Sequence, residues 1–558
     1  MYSQTFLALV ATSFSALVTA QTSIGVDVST KHQEMEGFGF SQAFGRASEL
    51  KNAVSSVQSG ALDLLFSTTS GAGFTIIRNR IGSGGNGDSI EPASPGSPDA
   101  TPKYVWDGND SGQFWFTQQA VSRGVKTIYA DAWSAPGFMK TSGSDSSPGY
   151  LCGTTGHTCS SGDWRQAYAN FLVKYVQLYA QQGITITHLG FLNEPDYSPG
   201  YSQMQISINA QEAISFIPTL YNTVRAAGLS TNITCCDAVG WADQAKYTTA
   251  LVNAGSTQYL GAITSHMYSA DPSSPLNETS LPKWNTEGGP LSDPFSTTWY
   301  ASGAANEGMT WAQKLASAIV NSDLSAYLFW EGFEQNQHQS AAHLVDTDSS
   351  GKTAVANSIL WAFAMWSRHI RPGAYRVATS GSMANVITGA FQNTDGSVVL
   401  VFTNDGTTTQ TPRTSFGSFT PDSASAWLTN QGNTFATTAA TLSGGAVTVS
   451  VPAKSVVTVK LTPGSSQAAV SNVSTQSTGA TKEPVTKEST TKEPATKEPV
   501  AKQSTTKEPV TKEPVTKEST TKEPSTKEAD AKKQTKPAGR YRGRPRPSSP
   551  NKECSGEE

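Results

Sequence analysis

The sequence predicts an α/β protein: a (β/α)8 TIM barrel with a side β-sandwich domain, followed by a disordered repeat tail. Three observations predict it. Eight apolar β-type runs recur between residues 36 and 333, helical patterns lie between many of them, and past residue 373 the helices give way to short alternating runs. The 558 residues hold enough chain for one barrel of about 250 residues or more plus a second domain.

The first 20 residues, MYSQTFLALVATSFSALVTA, are apolar and end in Val18-Thr19-Ala20. That pattern reads as a signal peptide (residues 1–20) cleaved before Gln21, so the expected location is secreted and extracellular. A membrane anchor is the competing reading, but the stretch is short for a span and no later segment is long and apolar enough. Residues 21–35 include TSIGVDVSTKHQ, which reads as β and is assigned to the side domain. The barrel is placed at 36–372. Its eight strands are expected within EGFGFSQ from 36, TIIRNRIG from 75, KTIYADAWSAP from 126, ITHLGFLNEP from 186, NITCCDAVGW from 232, GAITSHMY from 261, PKWNTEGG from 282 and AYLFWEGF from 326. Apolar residues at three- and four-residue spacing predict helices in DWRQAYANFLVKYVQLYAQQG from 163, SINAQEAISFIPTLYNTVRAAG from 207 and TAVANSILWAFAMWSRHI from 353. Residues 373–463 carry MANVITGAF, SVVLVFTN, AVTVSV and SVVTVKLTP between Gly, Asn, Asp and Thr turns, a small β-sandwich. Residues 464–558 repeat TKEPV, TKEST and TKEPA and end in basic AKKQTKPAGRYRGRPRPSSPNK. With so little apolar surface to bury, this tail is expected to be a disordered stalk; its basic end reads as a solvated tail, with contact to wall polysaccharide or membrane as the lesser alternative.

Export makes disulfides available to the five cysteines. Cys152 and Cys159 bracket the loop CGTTGHTC, and a local bridge is the economical pairing. Cys235 and Cys236 are neighbours in a predicted strand and Cys554 lies in the tail, so their pairing stays open. Asn109, Asn232, Asn277 and Asn472 begin glycosylation sequons. The net charge of −4 points to no acidic polymer as partner, and no nucleic-acid signature is present. No metal site is expected, because His266 has no second His or Cys at ligand spacing, and no cofactor is called for. A monomer is expected.

A (β/α)8 barrel builds its active site at the C-terminal strand ends, and the polar oddities of this chain gather there. Arg46 follows strand one, Arg78 and Arg80 end strand two, and Trp133 ends strand three. Asn193 and Glu194 end strand four, His266 and Tyr268 strand six, Glu287 strand seven, and Trp330 and Glu331 strand eight. Two carboxylates facing one another across a mouth are what glycoside hydrolysis needs: one protonates the leaving oxygen, the other attacks the anomeric carbon or activates water. Asn193 suits a sugar hydroxyl, Gly288-Gly289 leave room for substrate, and Arg78 would keep a neighbouring nucleophile ionised. Each residue has a bland alternative: a structural salt bridge for the acids and arginines, core packing for Trp133, Trp299, Tyr268 and Trp330, a structural hydrogen bond for His266. On spacing alone Glu331 competes with Glu194 and Glu287.

As an ordered set, GFGFSQAFGRA, IIRNRIG, WSAPGFMK, LNEP, SHMY, WNTEGG and SRHIRPG resemble glycoside hydrolase family 30, the family of lysosomal glucocerebrosidase and of several microbial xylanases and β-1,6-glycanases. The resemblance covers roughly residues 24–463 and implies a barrel fused to a side β-sandwich and a retaining mechanism. It implies that Glu194 is the acid/base and Glu287 the nucleophile, and it matches Arg78, Trp133, Asn193, His266, Tyr268 and Trp330 to active-site positions; Glu331 matches no catalytic position. GFGFSQAFGRA and the cysteine loop after WSAPGFMK look most like the fungal xylanase/glucuronoxylanase branch. Bacterial glucuronoxylanases of the family place a recognition arginine after strand eight, where EGFEQNQHQSAAHLVDTDSSGK has none; Arg46 is then the candidate for a glucuronic acid branch, a salt bridge being its other reading.

The expected function is retaining hydrolysis of β-1,4-xylosidic bonds in plant cell-wall xylan or glucuronoxylan. Two alternatives stand beside it: a β-1,6-glucanase or β-1,6-galactanase of the same family, and a non-catalytic carbohydrate-binding wall protein displayed on the repeat stalk. Intact Glu194 and Glu287 speak against the last, because a binding module has no need of both.

Overall fold

In the computed structural model, residues 22–84, 87–198 and 202–464 are described. The signal peptide, nearly all of the repeat tail, Cys554 and Asn472 lie outside the described residues.

Eight parallel strands close into a barrel: Gly37–Ser41, Ile76–Ile81, Thr127–Ala132, His188–Gly190, Asn232–Ala238, Ala262–His266, Lys283–Glu287 and Ala326–Phe333, called strands one to eight. Strand eight pairs with strand one through Phe40 and Phe329 and with strand seven through Ala326 and Trp284, which closes the ring. Each apolar run of the sequence yields one of these strands. Strand alternation sorts the side chains: Ile76, Tyr129, Ala262, Trp284, Ala326 and Leu328 form a separate buried cluster, whereas Phe40 and Phe329 pack outward on helical aromatics such as Phe116 and Phe363.

Two of the expected helices form at Arg165–Ala180 and Gln211–Ala226. The third departs from expectation. Residues Ala354–Ala356 form a short strand against His343–Thr347, and the helix begins only at Ser358, capped by Asn357, whose side chain accepts from the Ile359 N–H at 3.1 Å. His343–Thr347 in turn runs parallel to strand eight, extending the sheet with a hairpin that the sequence pattern did not predict.

The side domain is a ten-stranded sheet system. The N-terminal strand Thr22–Met35 joins it, antiparallel to Ala374–Ser380 and parallel to Pro412–Phe416. Barrel and side domain share packing: Trp366 meets Phe391 edge-on at 5.9 Å, the Trp299 Nε1–H donates to the Lys454 carbonyl at 2.8 Å, and Arg376 pairs with Asp323 at 2.5 Å. For Trp299 the core-packing alternative holds, since the ring is buried at this junction.

Cys152 and Cys159 are bridged, with S–S 2.01 Å. The open pairing of Cys235 and Cys236 resolves as a bridge between the two neighbours, across a cis peptide bond. Of the sequon asparagines, Asn232 and Asn277 are exposed; Asn109 is half-buried, and its side-chain oxygen accepts from Lys51 Nζ at 2.7 Å. No helix among the described residues is long and apolar enough to cross a membrane.

Candidate active site

Arg78 is the centre of the barrel mouth. Fully buried at strand two, its guanidinium donates to Glu287 at 2.5 Å, to Asp131 at 2.7 Å and to Asn193 at 2.7 Å, and lies 4.4 Å from the Trp133 ring centroid. One rigid fork thus ties strands two, three and seven and the segment after strand four. Burial alone would weaken this cation, but Asp131, Glu287 and Asp237 hold its pKa well above the ordinary value.

Glu194 reaches the mouth differently from the other residues. Strand four stops at Gly190, so Asn193 and Glu194 lie in an irregular continuation and not at a strand end. Glu194 takes φ of 47°, and its N–H donates to the Asp237 carbonyl at 2.8 Å, which fixes the backbone in a conformation that side-chain-bearing residues rarely adopt. Its carboxylate meets His266 Nδ1 at 3.3 Å. His266 and Glu287 are the last residues of strands six and seven, and the Tyr268 hydroxyl donates to Glu287 Oε1 at 2.9 Å.

Donor atoms of Glu194, His266 and Glu287 lie within 4.8 Å of one another. For the two carboxyl groups this proximity is in keeping with the roughly 5 to 5.5 Å of retaining glycosidases. The same trio has the donor types of a metal site. At His266 burial disfavours an imidazolium, yet Glu287, Asp237 and Glu194 push its pKa up to about 10, so a proton occupies the ring at neutral pH. For Glu287, burial raises the pKa, and His266 and Arg78 pull it back. The expected help from Arg78 is present and works against a larger desolvation.

Sequence reasoning missed a second layer. Asp237 accepts hydrogen bonds from Tyr129, Thr264 and Thr286 and stands 3.4 Å from His266 Nε2. Burial would raise its pKa, but the bond from His266 and the charge of Arg78 hold it down. Asp131 shows the opposite balance: burial, with Asp237 nearby, raises it well above the ordinary range despite Arg78. Both acids stand one residue inside their strand ends, before Ala132 and Ala238, so the criterion that singled out Glu287, the last residue of its strand, passes over them. Phe44 was also missed. It stands at the mouth beside Trp133 and Trp330, with ring centroids 5.4 and 6.1 Å away.

Other expected site residues fall apart from this cluster. Arg46 is paired with Glu49 at 2.8 Å and with Glu334 at 3.1 Å, its side chain 27% exposed; of its two readings, the structure displays the salt bridge. Glu331 is buried near Arg46 and Glu334, and burial together with Glu334, opposed by Arg46, raises its pKa well above the ordinary value. Gly288 makes room for protein, not substrate: a Cβ there would lie 2.5 Å from the Met267 side chain.

The comparisons with known proteins agree with this geometry. The chain matches O-Glycosyl hydrolase family 30 over residues 21–274 and the Glycosyl hydrolase family 30 beta sandwich domain over residues 373–459. It is similar to the catalytic domain of GH30 xylanase C from Talaromyces cellulolyticus, at 52% identity and TM-score 0.75, covering 79% of this chain and 100% of that one. It also resembles an endo-1,6-beta-D-glucanase of Aspergillus fumigatus, 25% identical over 410 residues, 68% of this chain and 80% of the relative. A match to an endo-1,6-beta-D-glucanase of Trichoderma harzianum, 28% identical, spans 37% of this chain and only 43% of that protein. With both domains matched and a 52% identical relative covered from end to end, the chain belongs to glycoside hydrolase family 30.

Proposed function

We propose that the protein is a secreted retaining glycosidase that cleaves the β-1,4-linked backbone of xylan. The observation that carries the substrate is the 52% identity to the catalytic domain of a xylanase, covered over its full length; the curated β-1,6-glucanase relatives stand at 25 to 28%. In the first step Glu287 attacks the anomeric carbon, the bond to the leaving sugar breaks, and Glu194 gives its proton to the departing oxygen. In the second, Glu194 takes a proton from water, whose oxygen displaces Glu287 from the same carbon. Arg78 and Tyr268 favour the ionised nucleophile, and Asn193, held through Arg78, presents its amide beside the anomeric centre. Glucuronic acid branches are tolerated on this reading and not required, because the Arg46 guanidinium is already shared between two carboxylates.

The test is a digest of unbranched xylan, glucuronoxylan, β-1,6-glucan and β-1,6-galactan with products profiled by mass spectrometry. Xylo-oligosaccharides from both xylans are expected. Release from β-1,6-glucan alone would transfer the site to the activity named for the weaker relatives, and binding without release of reducing sugar would leave a wall-binding protein. Glu287→Gln is expected to abolish turnover while the melting profile stays cooperative.

A further inference from the structure

Phe44 stands at the barrel mouth beside Trp133 and Trp330, and of these three rings it is the most exposed. Trp133 is 4% exposed, pressed between the Arg78 guanidinium and its neighbours, whereas Phe44 is 40% exposed. Phe44 follows strand one with φ of 49°, and Gly45 continues at φ of 86°. Two consecutive left-handed residues turn the chain at the rim, and for a bulky aromatic such a conformation is an outlier that persists only where the surroundings hold it. What holds it is visible. The Arg80 guanidinium lies 4.4 Å from the Phe44 centroid, Trp133 meets the ring edge-on at 85°, and Trp330 lies tilted at 58°. The ring is therefore pinned in place yet left uncovered, which runs against what burial of an apolar side chain would achieve.

We infer that Phe44 is a stacking platform for a pyranose ring of the substrate, next to the ring whose bond is cleaved and on the glycone side. The assignment rests on the polysaccharide-cleaving reading above. The side follows from the barrel: Glu194, which serves the leaving group, comes from the segment after strand four, and Phe44 rises from strand one, nearly opposite, beside residues of strands two and eight and the residue after strand three. The chemistry follows from the ring, since the C–H face of a pyranose packs on an exposed aromatic and has no need of a charged partner. Contact runs from Phe44 through Trp133 to Arg78 and so to Glu287, which lets a sugar on the platform register the chain against the nucleophile.

The test compares kcat and KM of wild type, Phe44→Ala, Phe44→Tyr and Phe44→Trp on two substrates: an oligosaccharide of whichever backbone the wild type cleaves, and an aryl glycoside of its single sugar, which does not reach the platform. The ratio of kcat/KM between oligosaccharide and aryl glycoside is expected to fall about tenfold in Phe44→Ala and to recover in the two aromatic variants. An unchanged ratio overturns the platform, whether activity falls equally on both substrates or not at all. Failure of the xylan reading shows separately, as the identity of the backbone cleaved by the wild type.

Discussion

Replacing Tyr268 with phenylalanine removes one atom from the site, and its effect can be worked out from the contacts of Glu287. The nucleophile's two oxygens are served differently: Oε2 by the Arg78 guanidinium at 2.5 Å, Oε1 by the half-buried Tyr268 hydroxyl at 2.9 Å. A hydrogen bond to a charged group contributes about 1.5 to 3 kcal/mol, and because it favours the ionised carboxylate its loss raises the pKa. At about 1.4 kcal/mol per unit, the pKa of Glu287 should climb by roughly one to two units. Burial already pushes that pKa upward, so the increase moves it toward the working range. The acidic limb of the kcat/KM profile reports the free enzyme's nucleophile and should shift toward neutral pH by the same amount, with a smaller change in kcat at the optimum. The assay is initial-rate hydrolysis across a buffer series, with thermal melts confirming that both proteins are folded. An acidic limb in the same place in the folded variant would refute the reasoning, since Oε1 would then owe nothing to Tyr268.

Three further outcomes are expected. Glu194→Gln should reduce kcat/KM on xylan by about 10²- to 10⁴-fold and far less on an aryl xyloside whose acidic phenol leaves without protonation; equal losses on both would remove Glu194 from the acid role. Arg46→Ala should cost roughly 1 kcal/mol in denaturant melts through its partly exposed ion pairs and change activity on branched and unbranched xylan alike; a loss confined to the branched substrate would return the arginine to branch recognition. His266, raised to about 10 in the folded state, gives a stabilisation fully present below about pH 6.5 and lost as pH rises toward 10. The wild-type melting temperature should therefore fall across that window more steeply than that of His266→Asn, and parallel curves would count against a charged imidazole.

The barrel was legible in the sequence because parallel strands buried on both faces read as nearly continuous apolar runs, and each of the eight runs yielded a strand. Glu287 and His266 were legible as polar residues ending such runs. The deeper chemistry was not. Asp131 and Asp237 sit one residue inside their strand ends, and only the folded barrel shows that one shares Arg78 and the other anchors His266. Arg46 could not be assigned from spacing, because Glu334, its partner, lies nearly the whole barrel away in sequence. The hairpin of His343–Thr347 and Ala354–Ala356 escaped because three residues carry no periodicity, and the helix pattern that follows absorbed them. Phe44 escaped for a different reason: an aromatic beside a glycine reads as a turn, and neither the exposure nor the left-handed backbone is written in the residue types.

The strand Thr22–Met35 has a consequence for the order in which this protein can be completed. It leaves the ribosome before any barrel strand, yet its two neighbours, Ala374–Ser380 and Pro412–Phe416, are made after the last of them. For more than 300 residues of synthesis the first strand is an edge with nothing to pair with, while the barrel closes behind it. The side domain is thus finished last, and its closure draws the strand made first between two strands made after the barrel. A truncation at residue 372 would strand that edge permanently, so the smallest unit expected to fold cleanly is the barrel with its side domain, synthesised through Pro463.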